Sequence, residues 1–224
     1  MNKLLISLAL ITLSIILPGK VYSQNSFSIH TGPSFPLSDF GDDDRTDYDS
    51  GLAGVGFCVG ITYLYPINDK GLNLYFGADF DYNGLKNSVK DDYKAEIGSG
   101  ADIKFFKYIN VPIMAGLNYT IKATDKISMF ANFGFGPDFM KVTNMTIEAN
   151  NKKVELNIKS SANFAYKIGG GLLVNDKLIL GINYNGLGEH NLNAEMKYDG
   201  GIGLFDDQKL KVSLLTFSIG IKLK

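Results

Sequence analysis

Between positions 53 and 65 the chain alternates strictly. Ala53, Val55, Phe57, Val59, Ile61, Tyr63 and Tyr65 fall on one side, and Gly54, Gly56, Cys58, Gly60 and Thr62 on the other. A period of two places one set on each face of a β-strand. The same pattern recurs around 27–31, 72–83, 105–121, 127–137, 162–174, 178–187 and 211–223, which predicts eight strands. One face of each carries Val, Ile, Leu, Phe and Tyr; the other carries Gly, Asn, Ser, Thr, Asp and Lys. No segment shows a useful helical period, so a parallel sheet with crossover helices is excluded.

The connections alternate as well. Segments 66–71, 122–126 and 175–177 are short and carry Pro, Gly, Asn or Asp, as hairpin turns require. Segments 34–50, 84–104, 138–161 and 188–209 are long. This predicts an up-and-down meander with its long loops at one end. The third loop holds two further alternating segments, 145–149 and 154–158, around Asn150-Asn151; they read as a projecting hairpin. Counting them into the barrel gives the ten-stranded alternative, which their shortness disfavours.

Alternation alone fits a water-soluble lipocalin-like barrel too. Three features favour a membrane barrel. The apolar faces run for about 9–11 residues, the length of a tilted membrane strand. Tyr63, Tyr65, Tyr82, Tyr119 and Tyr184 stand near strand ends, where an interfacial aromatic girdle belongs. The polar faces are rich in Gly, which suits a narrow interior better than a solvated surface. The expected fold is therefore an all-β, eight-stranded antiparallel up-and-down transmembrane β-barrel. Its expected lipid-facing residues include Val55, Phe57, Val59, Ile61, Val111, Ile113, Phe133, Phe217 and Ile219.

The first 23 residues read differently. Lys3 precedes a mostly apolar run from Leu4 to Leu17, too short for a spanning helix, which needs about 20 residues. Pro18-Gly19 breaks it and Val21-Tyr22-Ser23 offers a cleavage site. Residues 1–23 are read as a secretory signal peptide and 24–224 as the barrel domain, bound for the outer membrane of a Gram-negative-type cell. Removing Lys3 and Lys20 with the leader leaves 20 basic against 23 acidic residues, a net charge of −3. Nothing in that balance points to nucleic acid. A single cysteine, Cys58, excludes an intramolecular disulfide.

Charged residues on the polar faces are few: His30, Asp79, Asp81, Lys167 and Lys222. They are expected to form a paired network in the lumen, because a lone buried charge is costly. An outer-membrane enzyme is a weak alternative: Glu189 and His190 are neighbours and face opposite sides of a strand. The acidic run Asp42-Asp43-Asp44-Arg45-Thr46-Asp47-Tyr48-Asp49 lacks the spacing of a calcium loop and reads as a solvated loop. No catalytic residue, metal or cofactor is expected.

Four short motifs add a resemblance: Gly32-Pro33 with Pro36-Leu37-Ser38-Asp39-Phe40, Ile109-Asn110-Val111-Pro112-Ile113, Tyr184-Asn185-Gly186-Leu187, and the terminal strand. In order and spacing the mature chain resembles the PorT-like outer-membrane β-barrel proteins. The resemblance implies an outer-membrane barrel of a family mostly without assigned activity, some of whose members belong to a secretion and gliding apparatus. Members usually end in an aromatic residue; here Phe217 is the last aromatic and the chain ends Ile221-Lys222-Leu223-Lys224. The expected function is a non-enzymatic outer-membrane barrel that presents long loops to a partner or serves in an envelope apparatus. A narrow pore or an envelope-stabilising barrel is the alternative. Expected partners are outer-membrane lipid and other envelope proteins met through the long loops.

Overall fold

The computed structural model describes residues 25–46, 49–98, 100–149, 152–198, 201–205 and 208–223. The segment read as a signal peptide lies outside them. Eight strands close a barrel: β1 (Ser26–Pro36), β2 (Gly56–Pro66), β3 (Leu72–Gly84), β5 (Lys107–Lys122), β6 (Ile127–Val142), β9 (Ser161–Val174), β10 (Leu178–Asn191) and β13 (Lys209–Leu223). Every pair is antiparallel, and β1 closes on β13 from Phe27↔Leu223 to Pro36↔Leu214. Closure leaves the barrel no free edge.

The three short turns gather at one end. Between β9 and β10, Asn175 and Asp176 both adopt positive φ of 52°, and the Lys177 amide donates to the Val174 carbonyl at 3.1 Å, closing a tight turn of the type I′ pattern. Asn and Asp tolerate that region best after Gly. The long connections gather at the other end, and three of them do more than connect. They contribute β4 (Asp102–Lys104), β7 (Met145–Ala149), β8 (Lys152–Ile158), β11 (Ala194–Tyr198) and β12 (Gly201–Phe205). These pair into a second sheet in the order β12-β11-β8-β7-β4. The 145–158 hairpin thus belongs to a crown above the barrel, and the ten-stranded alternative falls.

Two expectations need correction. The second long loop holds a helix, Asn87–Ile97, which a search for apolar periodicity misses because Val89 is its one buried side chain. Its Lys, Glu and Ala content supplies helix propensity instead. Strands β1, β6 and β10 also run further toward the long-loop end than their apolar stretches do.

The outer wall carries the large apolar side chains. Phe57, Val59, Ile61, Ile113, Phe133, Phe217 and Ile219 are all exposed there, with Val59 at 42%. Val55 is exposed one residue before β2, and Val111 is half-buried opposite Phe139. Ala53, on the same alternation, is instead buried at the barrel mouth, bridged to Leu85. The packed core fills the long-loop half. The first loop folds over the mouth and inserts Phe40, fully buried, edge-on against Tyr108 with ring centroids 4.9 Å apart. The Tyr108 hydroxyl donates to the Gly51 carbonyl at 2.7 Å, and the Ala53 and Lys86 amides donate to Phe40 and Leu52 carbonyls at 3.0 Å. Leu85, Val89, Met140, Leu187, Leu210 and Leu214 complete this plug.

Candidate functional site in the barrel lumen

Register brings the polar faces together. Across β1, β2 and β3, His30 lies level with Gly60 and Gly60 with Asp79. One step up, Cys58 lies level with Asp81, and Asp81 with Asn110 of β5. A Cβ at position 60 would overlap both the His30 ring and the Asp79 carboxylate. Gly60 therefore lets these two groups meet, with His30 Nε2 3.0 Å from Asp79 Oδ1. Lys167 crosses from β9 and binds the other oxygen, Asp79 Oδ2. Tyr75 lies beside the Lys167 ammonium.

Three of the five anticipated lumen residues, His30, Asp79 and Lys167, thus make one hydrogen-bonded cluster. Asp81 is buried beside it, against the Cys58 thiol. Lys222 is elsewhere: it pairs with Asp176 at 2.7 Å on the short-turn rim.

A second buried cluster sits nearer the mouth. His190 Nε2 donates to the Leu187 carbonyl at 3.0 Å, which leaves Nδ1 to accept from the Ser161 hydroxyl at 2.8 Å. Asp138 Oδ2 lies 3.1 Å from Nε2 without an aligned hydrogen bond. The set resembles a hydrolytic triad only in composition. The His190 proton is committed to a backbone carbonyl, and His190 and Asp138 are sealed from solvent. Glu189 points outward to Lys209 at 3.0 Å, as strand alternation requires. The sequence places Asp138 in a long loop and offers His190 only beside Glu189, whereas β6 and β10 continue through both and bring them together.

Below the His30–Asp79–Lys167 cluster the lumen opens into a cavity of about 560 Å³. Its walls are mostly neutral and polar, with Ser28, Thr62, Asn118 and Asn183 among them. His30, Tyr75 and Lys167 form its floor, and its rim includes the turn residues Lys122, Asp125, Lys126 and Asp176. The barrel is thus a cup open at the short-turn end and plugged at the other. One ligand atom each from His30, on that floor, and from Cys58 and Asp79, buried behind it, lie within 4.8 Å of one another.

The acidic loop is tied down. Arg45 grips Glu96 of the helix through two hydrogen bonds of 2.6 and 2.7 Å, and Asp43 pairs with Lys86 at 3.3 Å. Hydrogen bonding to Arg45 holds the Glu96 carboxyl below the usual range and raises the guanidinium above its own. Arg45 also stacks over the Tyr93 ring at 4.2 Å. Asp47 and Tyr48 lie outside the described residues.

The chain is similar to several solved outer-membrane proteins. With a major outer membrane protein of Thermus thermophilus it shares 10% identity over 89% of this chain and 99% of that one, at a TM-score of 0.50. With OprG of Pseudomonas aeruginosa it shares 13% identity over 92% and 99%, at 0.48. With Ail, the attachment invasion locus protein of Yersinia pestis, it shares 14% over 91% and 100%, at 0.47. No curated protein sequence matches. The family model described as outer membrane protein beta-barrel domain matches residues 6–222, nearly the whole chain. The chain belongs to the outer membrane protein beta-barrel domain family.

Proposed function

We propose that this protein is a non-enzymatic outer-membrane barrel that holds a rigid sheet outside the membrane for a partner protein in the envelope. The carrying observation is the crown sheet. Three separate connections, β3–β5, β6–β9 and β10–β13, give up independent motion to share one hydrogen-bonded ladder. Ordering them has an entropy cost that a merely solvated loop set does not incur. The ladder ends on β12, which pairs on one side with β11 and, among the described residues, on the other with nothing. Ile202 is 64% and Leu204 69% exposed on that strand. An open apolar edge invites aggregation unless it is used, and strand addition by a partner is its common use.

The exposed apolar wall supports a bilayer setting, in which Val55, Phe57, Val59, Ile61, Val111, Ile113, Phe133, Phe217 and Ile219 would face lipid. Bacterial outer-membrane barrels keep short turns periplasmic and long loops outside, so the crown faces out and the cup faces the periplasm. The PorT-like motifs support a role in an envelope apparatus. The plug at Phe40 and Tyr108 weighs against a pore. The test is a photo-crosslinking residue placed in cells at Leu204, at Val59 and at Lys177. A discrete protein adduct at Leu204, absent at Val59, supports the reading. Adducts at Lys177 with none at Leu204 overturn it.

A further inference from the structure

The buried charges of the lumen do not balance. Among the described residues, Asp79, Asp81 and Asp138 are buried carboxylates and Lys167 is the one buried ammonium. Lys167 is engaged on Asp79. Asp81 is 0% exposed, lies against the Cys58 thiol and finds no other hydrogen-bond partner. A carboxyl group held this way in a low-dielectric interior is costly to ionise unless a counter-charge lies beside it.

The groups around Asp81 show what kind. His30, Cys58 and Asp79 present nitrogen, sulfur and oxygen ligand atoms within 4.8 Å of one another. Tetrahedral zinc takes its ligand atoms about 3.3–3.6 Å apart, so small side-chain rotations close the set. The absent side chain at Gly60 lets the His30 nitrogen and the Asp79 oxygen approach to 3.0 Å. Lys167 holds Asp79 Oδ2 and leaves Oδ1 facing His30. A thiolate and an imidazole select a borderline-soft cation over calcium or magnesium. His30 is half-buried on the floor of the periplasmic cup, which gives an ion a polar route in. Sequence spacing hides the site, because its ligands lie on three different strands.

We propose that the lumen binds one zinc-type divalent cation just behind the floor of the cup, through His30, Cys58 and Asp79, with Asp81 supplying the adjacent balancing charge. Binding breaks the His30–Asp79 hydrogen bond, leaves the imidazole proton on the ring nitrogen that does not hold the ion, and replaces the Cys58 S–H bond with a sulfur–metal bond, the thiol proton passing to solvent. The donor set has no role in presenting the crown sheet, so this site stands or falls apart from that reading.

The test uses the folded full barrel in detergent, reduced, stripped with chelator and titrated with Co2+ and then Zn2+ alone. One Co2+ per chain with a thiolate-to-cobalt charge-transfer band, displaced by Zn2+, is the expected result. Absence of that band in the folded wild-type barrel overturns the site. In barrels confirmed by heat-shifted migration, Cys58→Ser abolishes the band, and His30→Gln weakens zinc at least about a hundredfold. Asp81→Asn weakens it about ten- to a hundredfold, the range for groups that support a metal's ligands. Unchanged zinc affinity in His30→Gln and Cys58→Ser overturns the assignment. Should neither variant fold, the wild-type band decides, and Mg2+ must leave it unaltered.

Discussion

The Lys167 ammonium on β9 reaches across the lumen to the Asp79 carboxylate on β3, 88 residues earlier, and both side chains are almost wholly buried. The contact braces two opposite walls of the barrel and divides the open cup from the packed half. Removing one partner leaves the other as an uncompensated buried charge. Lys167→Met should therefore cost about 3–5 kcal/mol. Asp79→Leu combined with Lys167→Met should lose less than the sum of the singles, because no charge is stranded. Urea titration in lipid vesicles measures all three; additive losses would show that the two groups do not interact.

Val59→Arg should cost about 2–4 kcal/mol if its 42% exposed side chain lies near the bilayer midplane. Ile219→Arg, on the same outer wall, should behave alike. Asp92→Arg, exposed on the helix above the barrel, should change stability little. The same refolding titration compares them, and equal tolerance at the three positions would mean that the wall does not meet lipid.

What the sequence made legible follows from this two-solvent geometry. Strand β2 is readable because lipid and a crowded lumen demand opposite side chains, and Phe57, Val59 and Ile61 alternate with Gly56, Cys58 and Gly60 as a result. The pattern fades where the barrel leaves the membrane band. Beyond it Lys141 and Glu189 replace the outward apolar residues, so nothing in the alternation brings the inward Asp138 and His190 together. Strands β11 and β12, of 5 residues each, are too short to announce a period. The His30–Asp79–Lys167 cluster was visible only as a set of polar-face residues. That Lys222 sits apart on the rim, and Cys58 sits within reach, depends on strand register, which alternation does not supply.

Reconstituted in a planar bilayer, the protein should show no large steady conductance. Eight strands enclose a narrow lumen, and side chains fill its long-loop half. Tyr75 and Met114 are buried at its centre, and Phe40, Leu187 and Leu214 seal the mouth. Porin-sized steps would contradict the plugged cup.

The tie between Arg45 and Glu96 should respond to acid and salt. Glu96 has a lowered folded pKa, so its contribution is fully present above the ordinary glutamate range and is lost as pH falls through the lowered value. Both groups sit at the surface, so screening should also weaken the tie. Amide exchange of residues 42–46, corrected for the intrinsic rate, should rise on acidification and with salt. Glu96→Gln should already be fast at neutral pH, with the acid-dependent step gone. An unchanged pH profile in that variant would assign the step to another carboxylate.

Deleting residues 41–49 separates the first loop from the crown as the place where a partner binds. The deletion is geometrically feasible because the flanking residues already touch: a Cβ on Gly51 would lie 2.6 Å from the Phe40 carbonyl oxygen, and the Gly51 amide donates to the Asp39 carbonyl at 2.7 Å. None of the eight barrel strands includes these residues, and shortening a surface loop costs little chain entropy. The shortened protein should still show heat-shifted migration. It loses the Arg45–Glu96 and Asp43–Lys86 pairs, so helix 87–97 should exchange faster. The crown is built from the other three connections, so the Leu204 crosslink should persist. Loss of that adduct in a correctly folded deletion variant would move the partner site from β12 to the acidic loop. An adduct that survives the deletion yet disappears with Leu204 left unlabelled and Ile202→Asp introduced, with the crosslinker then carried at Tyr198, would fix it on the β11–β12 edge.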